Sequence, residues 1–151
     1  MPNFITAKDQ ILKIISETSP VLNDNYGCTF DYQDFNISET GDVQSRCFSY
    51  SLSTPAIAPN RGGCEIKIGV TMNVSIFYRE ETDRNEMFNC MMSDYELIVE
   101  RLLNVNNWDR SNSGIQIMSA GEESIFIAVI DEDSEYGSTL TFTYPLIYIK
   151  S

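Results

Sequence analysis

The sequence predicts an α+β fold: a mainly antiparallel sheet with one long strand at about 64–78, packed by two helices at about 6–18 and 83–103. Three observations predict it. Residues 64–78 read Cys-Glu-Ile-Lys-Ile-Gly-Val-Thr-Met-Asn-Val-Ser-Ile-Phe-Tyr, apolar or aromatic at every even position and charged, small or polar at every odd position up to Ser75. Successive side chains of a strand point to opposite faces, so this alternation makes one apolar face and one wet one. Two other stretches carry helical spacing, through Phe4, Ile11 and Ile15 and through Met87, Cys90, Met91, Tyr95, Ile98 and Leu102. The order helix, strands, helix, strands is an α+β pattern. With 151 residues and no internal repeat, the chain reads as a single domain, 1–151.

Taken in order, Thr6 to Asp9 reads as a helix N-cap with a carboxylate three residues on, and Ser19-Pro20 ends that helix. Residues 23–27 are a turn cluster and 29–32 a short strand. Residues 46–53 alternate, with Phe48, Tyr50 and Leu52 on one face. Residues 54–63 carry Pro55, Pro59, Gly62 and Gly63 and read as a long connection into the 64–78 strand. At about 3.3 Å per residue that strand spans about 50 Å, two to three times a common strand. Part of it is expected to project from the body or to pair with another chain. The alternative is a strand bent or bulged, with a break at Gly69, inside one sheet. Thr82 to Glu86 gives the second helix a capping signal with acids in its first turn. Residues 104–114, with the only tryptophan, Trp108, read as a loop and 115–118 as a short strand. Residues 124–130 are apolar in both parities, as in a central strand covered on both sides. The last strand, 139–149, contains Pro145, which lacks an N–H and implies an edge or a bulge there.

Composition narrows function. Net charge is −12, which repels nucleic-acid phosphates and argues against specific DNA or RNA binding, though not against passive passage of DNA. The chain has no histidine, so Ser-His-Asp, Cys-His and histidine-based metal sites are excluded. No phosphate-cradling glycine motif occurs. Cys28, Cys47, Cys64 and Cys90 form no C-x-x-C pair, and free thiols in a reducing compartment are expected. The N-terminus shows no signal-peptide pattern and no apolar run reaches membrane-spanning length. Asp131, Asp133 and Glu135 alternate as calcium ligands can, but Tyr136 and Phe142 stand where an EF-hand needs Gly and Glu. No catalytic, cofactor or metal residue is assigned, and the chain is not expected to be an enzyme.

The order of elements resembles the tail-terminator (tail-completion) proteins of long-tailed bacteriophages. A short N-terminal helix is followed by strands with a long loop, the alternating strand from Cys64 to Tyr78, and a helix with acids at its start. A hairpin then closes on Thr139-Leu-Thr-Phe-Thr-Tyr-Pro-Leu-Ile-Tyr-Ile149. The resemblance implies a virion protein assembled in the host cytoplasm. It implies a ring of six copies that caps the tail tube, meets the head connector and lets DNA pass through its lumen. Partners are then the chain itself, the tail-tube protein and the head-connector protein, with no cofactor and no membrane. Glu80, Glu81, Asp83, Asp131, Glu132, Asp133 and Glu135 become candidates for the lumen or a subunit interface; the plain alternative is that they keep the protein soluble. Arg61, Gly62, Gly63, Ile66, Ile68 and Val70 become candidates for an intersubunit strand or loop. Two rival readings are another head–tail connector or head-completion protein, and a monomeric acidic module that binds a protein partner.

Overall fold

A strand that alternates over fourteen residues needs partners along its whole length, and the chain supplies them itself. The computed structural model describes residues 3–22, 26–36, 40–52, 56–59, 66–79, 84–107, 128–134 and 136–150. Within them run α1 (Asn3–Ser16), β1 (Asp31–Tyr32), β2 (Cys47–Leu52), β3 (Ala56–Pro59), β4 (Ile66–Arg79), α2 (Arg84–Leu103), a 3₁₀ turn at Val105–Asn107, β5 (Ala128–Ser134) and β6 (Gly137–Lys150). The fold is α+β. The strands lie in the order β1-β2-β4-β6-β5, with β3 paired to β4 off that path. All pairings are antiparallel except β1 with β2, which is parallel.

The long strand is interior to this sheet. β6 pairs with it along its whole length, from Ile66↔Lys150 to Arg79↔Gly137. On the other side β3 faces Ile66–Gly69 and β2 faces Met72–Ile76. Both edges are therefore largely occupied within one chain, and the backbone of β4 is not an open edge for another chain. The strand passes Gly69 without a break, pairing it with Ala56 and Ile147.

Both helices pack on one face. Ile11, Ile14 and Ile15 of α1 and Met87, Cys90, Met91, Ile98 and Leu102 of α2 join Val70, Met72, Val74, Ile76 and Tyr78 of β4 in one buried cluster. Leu140, Phe142 and Tyr144 of β6 complete it. Each fully buried large apolar side chain there stabilises by about 1.5–3 kcal/mol relative to exposure. The opposite face carries rows of small polar side chains in register: Ser49, Ser75 and Thr141, then Ser51, Asn73 and Thr143. Neighbours bond laterally, Ser75 to Thr141 at 2.9 Å and Thr143 Oγ1 to Asn73 Oδ1 at 2.9 Å. At one end of this face Val43, Cys47 and Phe77 form a second small cluster.

Four expectations are corrected. α1 starts at Asn3, so Thr6 lies inside the helix and is not its cap. The connection expected at 54–63 contains a strand, β3, whose terminal Pro59 suits a strand with a single neighbour. Residues 124–130 were expected as a central strand; 124–127 lie outside the described residues, and among the described residues β5 ends the strand order and pairs with β6 alone. The carboxylates Asp131 to Asp133 belong to β5, not to a loop. Trp108, the 115–118 strand and the Thr82–Asp83 cap lie outside the described residues.

Candidate functional site

The chain segments that carry the acidic candidates attach at one end of the sheet. Arg79, the last residue of β4, pairs with Gly137, the first residue of β6. Chain carrying Glu80, Glu81 and Asp83 leaves from the first, and chain carrying Asp131, Glu132, Asp133 and Glu135 arrives at the second. Residues 80, 81, 83 and 135 lie outside the described residues. Asp131, Glu132 and Asp133 sit in β5, where the register shifts between Asp131 and Ser134, and Ser134 pairs with Gly137 across a two-residue turn. Two clusters 50 residues apart in sequence are thus attached to the same end of β4 and β6. Gly137 allows this closeness, since a Cβ there would collide with the Tyr78 carbonyl oxygen and lie 2.8 Å from Arg79 Cα.

The strand candidates lie toward the other end. Ile66 and Ile68 stand in β4 between β3 and β6. Val70 is buried with 6% exposure and belongs to the core below the helices. Arg61, Gly62 and Gly63 lie outside the described residues.

Beneath the acidic end is a polar group that the sequence reading missed. Arg46 is fully buried and sits in the left-handed region, φ 63°. Its Nε donates to Asp94 Oδ2 at 2.8 Å and its Nη2 to Oδ1 at 3.1 Å, a two-pronged ion pair. Its two Nη atoms also donate to the carbonyls of Gly27 and Leu22. Tyr78 Oη donates to Asp94 Oδ2 at 2.6 Å. The backbone N–H of Arg46 reaches the Phe77 carbonyl at 2.7 Å, and the Asp31 N–H reaches the Arg46 carbonyl at 3.2 Å. The linker after α1, the β1–β2 region, the end of β4 and α2 are therefore tied through one arginine, by its side chain and its backbone together.

Electrostatics there follow from burial. Asp94 is pushed above its ordinary value by burial, against the pull of its bonds from Arg46 and Tyr78. Tyr78 is pushed well above 10, first by burial and then by the facing Asp94 carboxylate. A cluster so enclosed meets no substrate; its chemistry is to hold segments together. Next to it, Arg79 donates to the carbonyls of Gly41 at 3.0 Å and Val43 at 2.9 Å, and its N–H to Ser45 Oγ at 2.9 Å. These bonds brace the base of the acidic end.

Asp94 was detectable. Met87, Met91, Asp94, Ile98 and Leu102 share one helical face, so a carboxylate stands at a core position and calls for a cation. Nothing in the pattern around Arg46 marks that cation. Among the described residues no group of His, Cys, Asp or Glu is placed to hold a metal ion. No described helix is long and apolar enough to cross a membrane. Scans of the chain against protein-family models and against curated proteins found no match.

Proposed function

We propose that this chain is a structural subunit of a phage neck, a tail terminator whose copies close into a ring of six on the finished tail tube. The ring stops tube growth, presents its other side to the head connector, and passes DNA without binding it specifically. The reading rests on the resemblance in element order together with one structural observation. The ribbon of β4 and β6 is fourteen residues long, about 46 Å, while α2, the longer helix, spans only about 30 Å. A ribbon that outruns its helices offers surface to a neighbour. In such a ring this ribbon reaches a sister subunit, and the acidic end faces the lumen or an interface. No catalytic role is assigned, and the best-built polar cluster is sealed from solvent.

The test is electron microscopy of tails assembled without this protein. Overlong tubes are expected. Tubes of normal length that fail to join heads would contradict termination and favour the head–tail connector reading.

A further inference from the structure

We propose that the open edge of β2, at residues 50–52, takes up an extended apolar peptide segment that carries lysine or arginine, as an added strand of the sheet. The inference stands on the β1–β2 corner alone and does not need the ring.

β1 covers only the first part of β2. The Asp31 N–H reaches the Arg46 carbonyl at 3.2 Å and the Gln33 N–H reaches the Phe48 carbonyl at 2.9 Å, so Arg46 and Phe48 turn their backbone carbonyls outward. Alternate residues of a strand direct their N–H and C=O groups to the same side, so Tyr50 and Leu52 face outward too. Past Gln33 the chain leaves this edge. Ser49 Oγ donates to the Phe35 carbonyl at 3.5 Å, and the Phe35 ring meets Phe77, both on the face away from the helices. Among the described residues no backbone bond from outside the sheet reaches Tyr50 or Leu52. Side chains on both faces of this corner are exposed, Leu52 at 40% on one and Ser51 on the other. Edge strands are commonly guarded by a charge, a proline or a bulge. Residues 49–52 carry none of these, and their register with β4 is unbroken.

An aromatic shelf lies beside the edge. The Tyr32 ring is 5.7 Å from Phe48 and 5.8 Å from Tyr50, and Tyr32 is 49% exposed. By register Tyr32, Phe48, Tyr50 and Leu52 share one face, so an added strand would lay its apolar side chains between Tyr32 and Leu52.

Charge selects the occupant. Lys8 lies 5.8 Å over the Tyr50 ring and is matched by Asp9 at 3.2 Å. That leaves two exposed carboxylates at the corner, neither of which meets a cation among the described residues. Asp34 stands close enough to Tyr32 to help push its hydroxyl up, after burial and Tyr50. Asp31 pairs in register with Cys47, on the opposite face. Each face of an added strand therefore has a carboxylate for a basic side chain.

The test is an isotope-labelled full chain titrated, by amide chemical shifts, with the blocked peptide acetyl-Lys-Val-Lys-Val-Lys-amide. Shifts are expected to centre on Gln33, Tyr50 and Leu52. Two N-methylated peptides, one blocked at its lysine amides and one at its valine amides, keep the charge. One should bind like the parent and the other about tenfold more weakly, because only alternate N–H groups face β2. Asp34→Lys should weaken binding about threefold. Leu52→Pro removes one outward N–H, a change an edge tolerates, and should weaken it about fivefold. If that variant unfolds, the N-methylated pair on the wild type carries the same test. Equal binding of both N-methylated peptides, shifts spread over the whole acidic surface, or no binding at millimolar peptide each overturns the added strand. All three leave the ring reading untouched.

Discussion

Arg46 holds a charge, an unfavourable backbone region and complete burial at once, which only a fully satisfied partner set makes tolerable. Truncating one member exposes the cost. Asp94→Ala leaves the guanidinium without its carboxylate and Tyr78 without its acceptor, and should destabilise by about 3–5 kcal/mol in urea unfolding. Arg46→Met should be similarly costly, and the double variant less than additive, with a coupling above about 1 kcal/mol. Additive losses would show that the two side chains do not act as a pair. Tyr144 gives a second residue-scale prediction. Burial pushes its hydroxyl up to about 12, against about 10 in an unfolded chain. Between those values the unfolded state releases a proton that the folded state keeps. Stability fully present below pH about 10 is thus lost as pH rises toward 12, by about 3 kcal/mol from this group. Tyr144→Phe should flatten that alkaline decline, and Tyr78, shifted in the same direction, should sustain the remainder. At this scale the sequence was half legible. An aspartate at a core position of α2 is visible as a demand for a cation. The residue answering it comes from a turn 48 positions away, and left-handed backbone at an arginine has no sequence signature.

Elements with strong periods were the readable ones. The α2 stripe of Met87, Cys90, Met91, Ile98 and Leu102 is buried where helical spacing put it, and the even positions of β4 from Val70 to Tyr78 form the core. Legibility failed where one signal masked another. Two prolines hid β3, because Pro55 and Pro59 read as a connection although Ala56–Pro59 needs only one neighbour. A run apolar in both parities suggested a central β5, but such a run cannot say whether a sheet or a partner covers it. The junction of β4 and β6 makes its own prediction. Gly137→Ala places a methyl against the Tyr78 carbonyl and Arg79 Cα, backbone atoms that cannot rotate away. It should cost about 2 kcal/mol or more and loosen the acidic end, read as faster amide exchange near Tyr78 and Arg79. Unchanged exchange would mean the two strands do not approach so closely.

At the scale of the whole molecule the net charge is −12. By chain order the segments carrying Glu80, Glu81 and Asp83 and carrying Asp131, Glu132, Asp133 and Glu135 attach where β4 ends and β6 begins. A chain this acidic repels its own copies, so any association needs a specific contact. Element order suggested a ring subunit; the pairing of Arg79 with Gly137 brings the ends of the two strands that lead to the acidic segments together, which spacing in sequence could not reveal. The proposed function requires copies of this chain to build a closed ring. Its most direct measurement is the mass of the purified protein in solution, alone and with tail tubes, by light scattering, with particle symmetry read by electron microscopy. A tail terminator should give a species of about six times the 17.1 kDa chain mass, ring-shaped and seated on tube ends. A particle that keeps the mass of one chain at high concentration, and ignores tail tubes, would contradict it.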